Sequence, residues 1–277
     1  MRYGILAHNL GKTTCDELAR RTGSYGFEFV QLALSKALTD LDAGLGRLSP
    51  GLAHHVADTF ARQGVKIAVL GCYINPIHPN MEERRHGIER FKEHLRYARD
   101  FGASVVATET GTIRTYLEAY PHHKEEDLWK QLRIVVEELA EEAEKWGVTV
   151  GIEPSGTEVI HSADLMHRML EEVPSTNIGV VLDPCHLLQA HNIDRQHEVL
   201  QHAFRQFGHR IVLAHVKDMD FTPEGKKKYV RMGTGCVDYP FFMQLLQQYK
   251  PYSNVSFEGG IEPEDIPASI AHLKSCL

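Results

Sequence analysis

Short apolar, β-branched runs alternate along the chain with longer stretches whose apolar residues recur every three or four positions. The runs that read as strands are 2–7, 27–33, 65–70, 104–108, 148–152, 178–182, 211–216 and 254–257. Amphipathic stretches near 13–22, 50–63, 82–101, 124–146, 162–172, 187–208, 240–249 and 264–276 read as helices. Ser162 ahead of ADLMHRML and Pro240 ahead of FFMQLLQQ are helix start signals, and Gly64, Gly102 and Gly147 each follow a helical run as a stop. Strand–helix pairs in strict alternation predict an α/β fold, a single (β/α)8 barrel, with residues 1–277 as one domain. No Ser/Gly tract or composition break interrupts the chain, and no motif recurs at a fixed period.

Charge and cysteine usage narrow the function classes. A formal net charge of −7 argues against a protein that grips nucleic acid and favours small neutral or anionic substrates. The run MRYGILAHNL reads as a strand rather than a signal peptide, and nowhere do enough apolar residues run together to cross a bilayer. The expectation is a soluble, cytoplasmic protein without a membrane partner. The five cysteines are odd in number, scattered and free of any C-x-x-C pair, which points to neither a disulfide framework nor a Cys-rich zinc site.

Four of the apolar runs end on side chains that bind metals. VTVGIEP ends on Glu153, IGVVLDPCH on Asp183 and His186, IVLAHVKD on His215, and NVSFEGG on Glu258. Steps of 30 (153 to 183), 32 (183 to 215) and 43 (215 to 258) are close to one strand-plus-helix unit each. Such spacing gathers the four residues at the C-terminal mouth of a barrel, where the active sites of this architecture lie. Taken singly, a carboxylate at a strand end is most often a helix cap. Taken together, three carboxylates and an imidazole without a cation would be costly to bury, and they suit one divalent ion per chain: Mn, Zn, Mg, Co or Fe.

The ordered set G-I-E-P, L-D-P-C-H, A-H-V-K-D, G-T-G-x-V-D-Y and F-E-G-G resembles the xylose-isomerase-like barrel superfamily over essentially the whole chain. That superfamily contains sugar isomerases and epimerases, inosose and dehydroshikimate dehydratases, hydroxypyruvate isomerases and apurinic endonucleases. The resemblance implies that Glu153, Asp183, His215 and Glu258 are metal ligands, and that His186 and Arg231 lie on the substrate side. It also implies that copies of the chain pair, although the sequence leaves the oligomeric state open.

Several further residues are candidates for substrate contact. D-x-x-H places His186 beside a strand-end ligand. Period-2 alternation puts Lys217 on the same side as His215. Arg231 lies in the long connection before MGTGCVDY, where its competing role is simple solvent exposure. His8 and Glu109 close the first and fourth strands, where they either bind hydroxyls or cap the next element. Cys185 reads as small, buried packing rather than a nucleophile.

The chemistry expected is that of a divalent-metal-dependent sugar or sugar-phosphate isomerase or epimerase acting on a carbohydrate or cyclitol. An ion chelated by a ketose carbonyl and its neighbouring hydroxyl acidifies the adjacent C–H and stabilises the enediolate, while Glu153 and Glu258 act as the acid–base pair. Loss of a β-hydroxyl from the same intermediate is the dehydratase alternative. An apurinic endonuclease is disfavoured because VLGCY offers no histidine, Glu109 stands where a metal histidine is usual, and Lys227 and Tyr229 fall where an Asp-x-His pair belongs. A non-catalytic sugar-binding relative would be favoured by the loss of either glutamate, and both are present.

Overall fold

A computed structural model describes residues 1–259 and 261–277. Its centre is a closed barrel of parallel strands: β1 (Arg2–Leu6), β2 (Phe29–Leu32), β3 (Lys66–Gly71), β4 (Val105–Thr108), β5 (Thr149–Ile152), β6 (Ile178–Leu182), β7 (Ile211–Val216) and β10 (Asn254–Phe257). Strands β8 (Asp218–Phe221) and β9 (Lys227–Val230) form a separate antiparallel hairpin, and β10 closes the barrel between β7 and β1. The (β/α)8 expectation is met, with each barrel strand within two residues of its predicted bounds.

The strands carry apolar residues on both faces because both are covered, one by the helices and one by the barrel lumen. Alternate side chains point inward. Phe29, Val69, Val105, Ala107, Val181 and Leu213 form an apolar cluster of their own, distinct from the layer between strands and helices. Gly151 narrows this lumen: a Cβ there would fall 2.9 Å from Val105 Cγ1 and 3.1 Å from Val181 Cγ2. The inward parity that gives Val105 and Ala107 continues to Glu109, that of Gly151 to Glu153, that of Val181 to Asp183, and that of Leu213 to His215 and Lys217. The lumen is therefore a packed apolar plug capped at its C-terminal end by a polar layer.

Helix ends follow the predicted signals. Ser162 Oγ accepts from Leu165 N at the start of α7 (Ala163–Glu172). Pro240 falls in the first turn of α10 (Tyr239–Tyr249), which Asp238 caps. Gly64, Gly102 and Gly147 take φ of 73, 80 and 60°, a region costly for other residues. The stretch 187–208 is the exception, since its helix α9 spans only Gln196–Phe207. Asn192 is the cause: its amide accepts from Gln189 N at 2.7 Å and donates to Leu187 O at 3.2 Å, drawing the backbone into a turn. The β8–β9 hairpin and the short helices α2 (Leu34–Ala37), α5 (Ile113–Ala119) and α8 (Pro184–Leu187) have no counterpart among the predicted elements.

Candidate active site

Four consecutive barrel strands, β5, β6, β7 and β10, deliver Glu153, Asp183, His215 and Glu258 to one point. Each offers a ligand atom within 4.8 Å of the other three. Backbone bonds extend the ladders far enough to aim the two glutamates: Glu153 N donates to Thr108 O, and Glu258 N donates to Val216 O, both at 3.1 Å. Asp183 caps α8, with Oδ1 accepting from Cys185 N at 2.7 Å, which leaves Oδ2 turned toward the cluster.

His215 is fully buried and lies between the carboxylates. Its Nδ1 is 3.0 Å from Glu153 Oε1 and 2.9 Å from Glu258 Oε2. One N–H cannot serve both oxygens well, and Glu258 Oε2 and Asp183 Oδ2 are buried without a hydrogen bond of good geometry. Burial alone would lower the His215 pKa, but Glu153 and Glu258 outweigh it and raise the pKa to about 10. Burial raises the Glu258 pKa, while His215 and Lys217 hold it well below the ordinary carboxylate range. A cluster of acceptors with unsatisfied inward oxygens, balanced only by protons and Lys217, fits a divalent cation.

Lys217 stands where the alternation placed it. Its Nζ is 2.9 Å from Asp183 Oδ2, 3.3 Å from Glu258 Oε2 and 2.9 Å from His186 Nε2. Desolvation works against the charge, but Asp183 and Glu258 hold the Lys217 pKa well above its ordinary value. His186 is brought in as well, with Nδ1 3.2 Å from Pro154 O and 3.5 Å from Glu153 Oε1. Glu109 and His8 follow β4 and β1, the strands that flank the arc bearing the cluster, and both are half-buried. Burial, then Glu153, raises the Glu109 pKa, and burial, then Lys36, lowers that of His8. Arg231 is not brought to the cluster: it is half exposed, with Nη1 4.0 Å from Asp265 Oδ1. Cys185 is buried, its thiol 2.8 Å from Lys217 O, and burial, then Asp183, pushes its pKa well up.

Two residues of this layer were absent from the sequence-based set. Gln31, 1% exposed, accepts from His215 Nε2 at 2.7 Å through Oε1 and donates from Nε2 to the Tyr73 hydroxyl at 3.1 Å. The signal was present in the chain: Gln31 shares inward parity with Phe29, and Tyr73 shares it with Val69 and Gly71. The β8–β9 hairpin also reaches the site. The Tyr229 ring centroid lies 5.2 Å from Lys217 Nζ, and Lys227 Nζ donates to Cys185 O. A larger cleft of about 820 Å³, lined by Gly156, Gln189 and His202 among others, opens between the loops after β5 and β6 and helix α9, outside the ligand cluster.

Comparison with known proteins places this fold. The family described as xylose isomerase-like TIM barrel matches residues 19–276. Mannonate dehydratase 1 of Halalkalibacterium halodurans is 25% identical over 163 residues, which cover 55% of this chain and 42% of that protein. The match thus spans less than half the length of that relative. A 3-keto-D-glucoside 4-epimerase from E. coli superposes with a TM-score of 0.76 at 16% identity, over 100% of both chains. The IolI protein, solved with a bound zinc atom, gives a TM-score of 0.72 at 18% identity, over 100% of this chain and 96% of that one.

Proposed function

Because the chain belongs to the xylose isomerase-like TIM barrel family, we propose that it is a divalent-metal-dependent isomerase or epimerase of a sugar or sugar phosphate. The observation that carries this reading is the convergence of Glu153, Asp183, His215 and Glu258 within 4.8 Å, with Asp183 Oδ2 and Glu258 Oε2 buried without a hydrogen bond of good geometry. These four residues would hold the ion. When bound, it supplies Lewis acidity to a carbonyl and an adjacent hydroxyl.

The remaining steps belong to side chains. Glu153 and Glu258 come from strands separated by β6 and β7, so they face a substrate from two sides. One carboxylate removes the proton from the carbon beside the carbonyl, and the other delivers a proton to the opposite face, which inverts that carbon. Lys217, fixed by Asp183 and His186, is placed to donate to a substrate oxygen that gains negative charge. Apolar packing below the layer and the hairpin beside it limit water around these groups.

The test is turnover of a ketose and ketose-phosphate panel in heavy water. Deuterium should appear on the carbon next to the carbonyl, and Gln at either position 153 or 258 should slow exchange by roughly 10²-fold or more, with metal content measured in parallel. Retention of the substrate hydrogen over many turnovers would point to a hydride shift and exclude the two-carboxylate scheme. The sequence match to a mannonate dehydratase favours a second outcome, loss of a β-hydroxyl after the same proton removal. A product lighter than the substrate by one water distinguishes it.

A further inference from the structure

Beside the barrel mouth, on the side opposite the ligand cluster, a pocket of about 150 Å³ opens between the end of β2, the end of β3 and helix α4 (Met81–Tyr97). Ser35, Lys36, Gly71, Tyr73, Arg90 and His94 line it together with small apolar groups, and no carboxylate does among the described residues. Two cations therefore share a small space without a counterion. Neither Lys36 nor Arg90 forms an ion pair among the described residues. Glu93, about one turn along α4 from Arg90, is taken up by loop amides, accepting from Gly46 N at 2.9 Å and Leu48 N at 3.2 Å.

Both cations are held in place by Tyr73. Arg90 Nη2 donates to Tyr73 O at 2.6 Å, while its Nε is buried without any partner. Lys36 Nζ sits 4.0 Å above the Tyr73 ring. The same ammonium acts on Glu109 and His8, which puts it at the border between the pocket and the mouth. On its other side Tyr73 meets the cluster, since its hydroxyl accepts from Gln31, which in turn holds His215. Tyr73 thus touches both the metal-suited site and the cationic pocket. At about 30 Å³ per water, the pocket has room for a phosphate or carboxylate group.

We propose that this pocket binds the anionic end, a phosphate or a carboxylate, of the substrate whose reacting end lies at the four-ligand cluster. The inference rests on the function proposed above and narrows its substrate to a class with a terminal anion. An unpaired guanidinium and ammonium at a partly enclosed site supply charge-assisted hydrogen bonds to such a group. Neutral ketoses lack the group that satisfies them.

The experiment is equilibrium dialysis of the whole chain against inorganic phosphate, and separately acetate, at matched ionic strength. It is run on metal-loaded and chelator-treated protein, with Lys36→Ala and Lys36→Glu alongside, and metal content is followed throughout. Saturable binding of about one anion per chain is expected in both metal states. Lys36→Ala should weaken it roughly tenfold, Lys36→Glu should weaken it further, and neither should change metal content. Tighter phosphate binding identifies a phosphate ester, and tighter acetate binding a carboxylate. No saturable binding of either anion, binding that disappears with the metal, or binding indifferent to Lys36→Glu would overturn the proposal. Failure of the metal reading alone would show as protein without metal that still binds the anion.

Discussion

Gln31 decides which nitrogen of His215 faces the carboxylates. Because its Oε1 accepts from Nε2, Nδ1 is the atom left toward Glu153 and Glu258. Fixing a ligand imidazole in this way commonly changes metal affinity 10- to 100-fold. Gln31→Leu should therefore weaken metal binding by roughly that factor in a chelator competition, while Gln31→Glu, which keeps an acceptor, should retain most of it. Equal affinity in Gln31→Leu would remove the positioning role. Glu158 gives a second test at this scale. It is buried, receives Thr112 Oγ1 at 3.1 Å on Oε1, and has its pKa raised to about 7 by burial, then by Glu109. The folded state holds this proton to higher pH than the unfolded chain. The stabilisation is thus full below the ordinary value of 4.5 and is lost as pH rises through about 7. Thermal melts should show Glu158→Gln gaining on the parent between pH 5 and pH 8, by on the order of 1–3 kcal/mol. A constant offset across that range would contradict the assignment.

Among the elements, the barrel strands were legible because β-branched runs buried on both faces stand out from amphipathic helices. The metal-suited residues were legible because strand ends recur at the spacing of the repeat. Gln31 and Tyr73 were not, because a glutamine inside FVQL and a tyrosine after VLGC look like strand filler until inward parity is followed to the top of the lumen. The hairpin was hidden for the opposite reason. KKYV in β9 is largely exposed and polar, with no buried face to give it a period. Its anchor is Asp218, buried, whose Oδ2 accepts from Gly233 N at 2.8 Å and Gly235 N at 2.9 Å. A Cβ at Gly235 would run into Asp218 Oδ1 and Met219 O. Gly235→Ala should accordingly destabilise the protein by about 1–3 kcal/mol and loosen the hairpin beside Lys217. Chemical denaturation reads the first effect and proteolysis within 218–235 the second; unchanged stability would show that the loop yields freely.

At the scale of the whole molecule, the barrel brings side chains from strands far apart in sequence into one polar layer above an apolar plug. Three carboxylates, one imidazole and one lysine lie there, with Asp183 Oδ2 and Glu258 Oε2 buried without a hydrogen bond of good geometry. Among the described residues no helix is long and apolar enough to cross a membrane. Arg231 marks the limit of reading a site from sequence. The connection that carries it was recognised, but its direction is set by the loop from Gly233 to Gly235 folding onto Asp218, which leaves the guanidinium near Asp265. Elemental analysis of purified protein checks the assignment of Glu153, Asp183, His215 and Glu258 to a mononuclear divalent site. That assignment requires about one divalent ion per chain in the parent protein, near zero in folded Asp183→Ala and His215→Ala, and an undiminished content in His186→Ala. A parent protein that neither carries nor takes up a divalent ion, or one that holds three per chain, would contradict it.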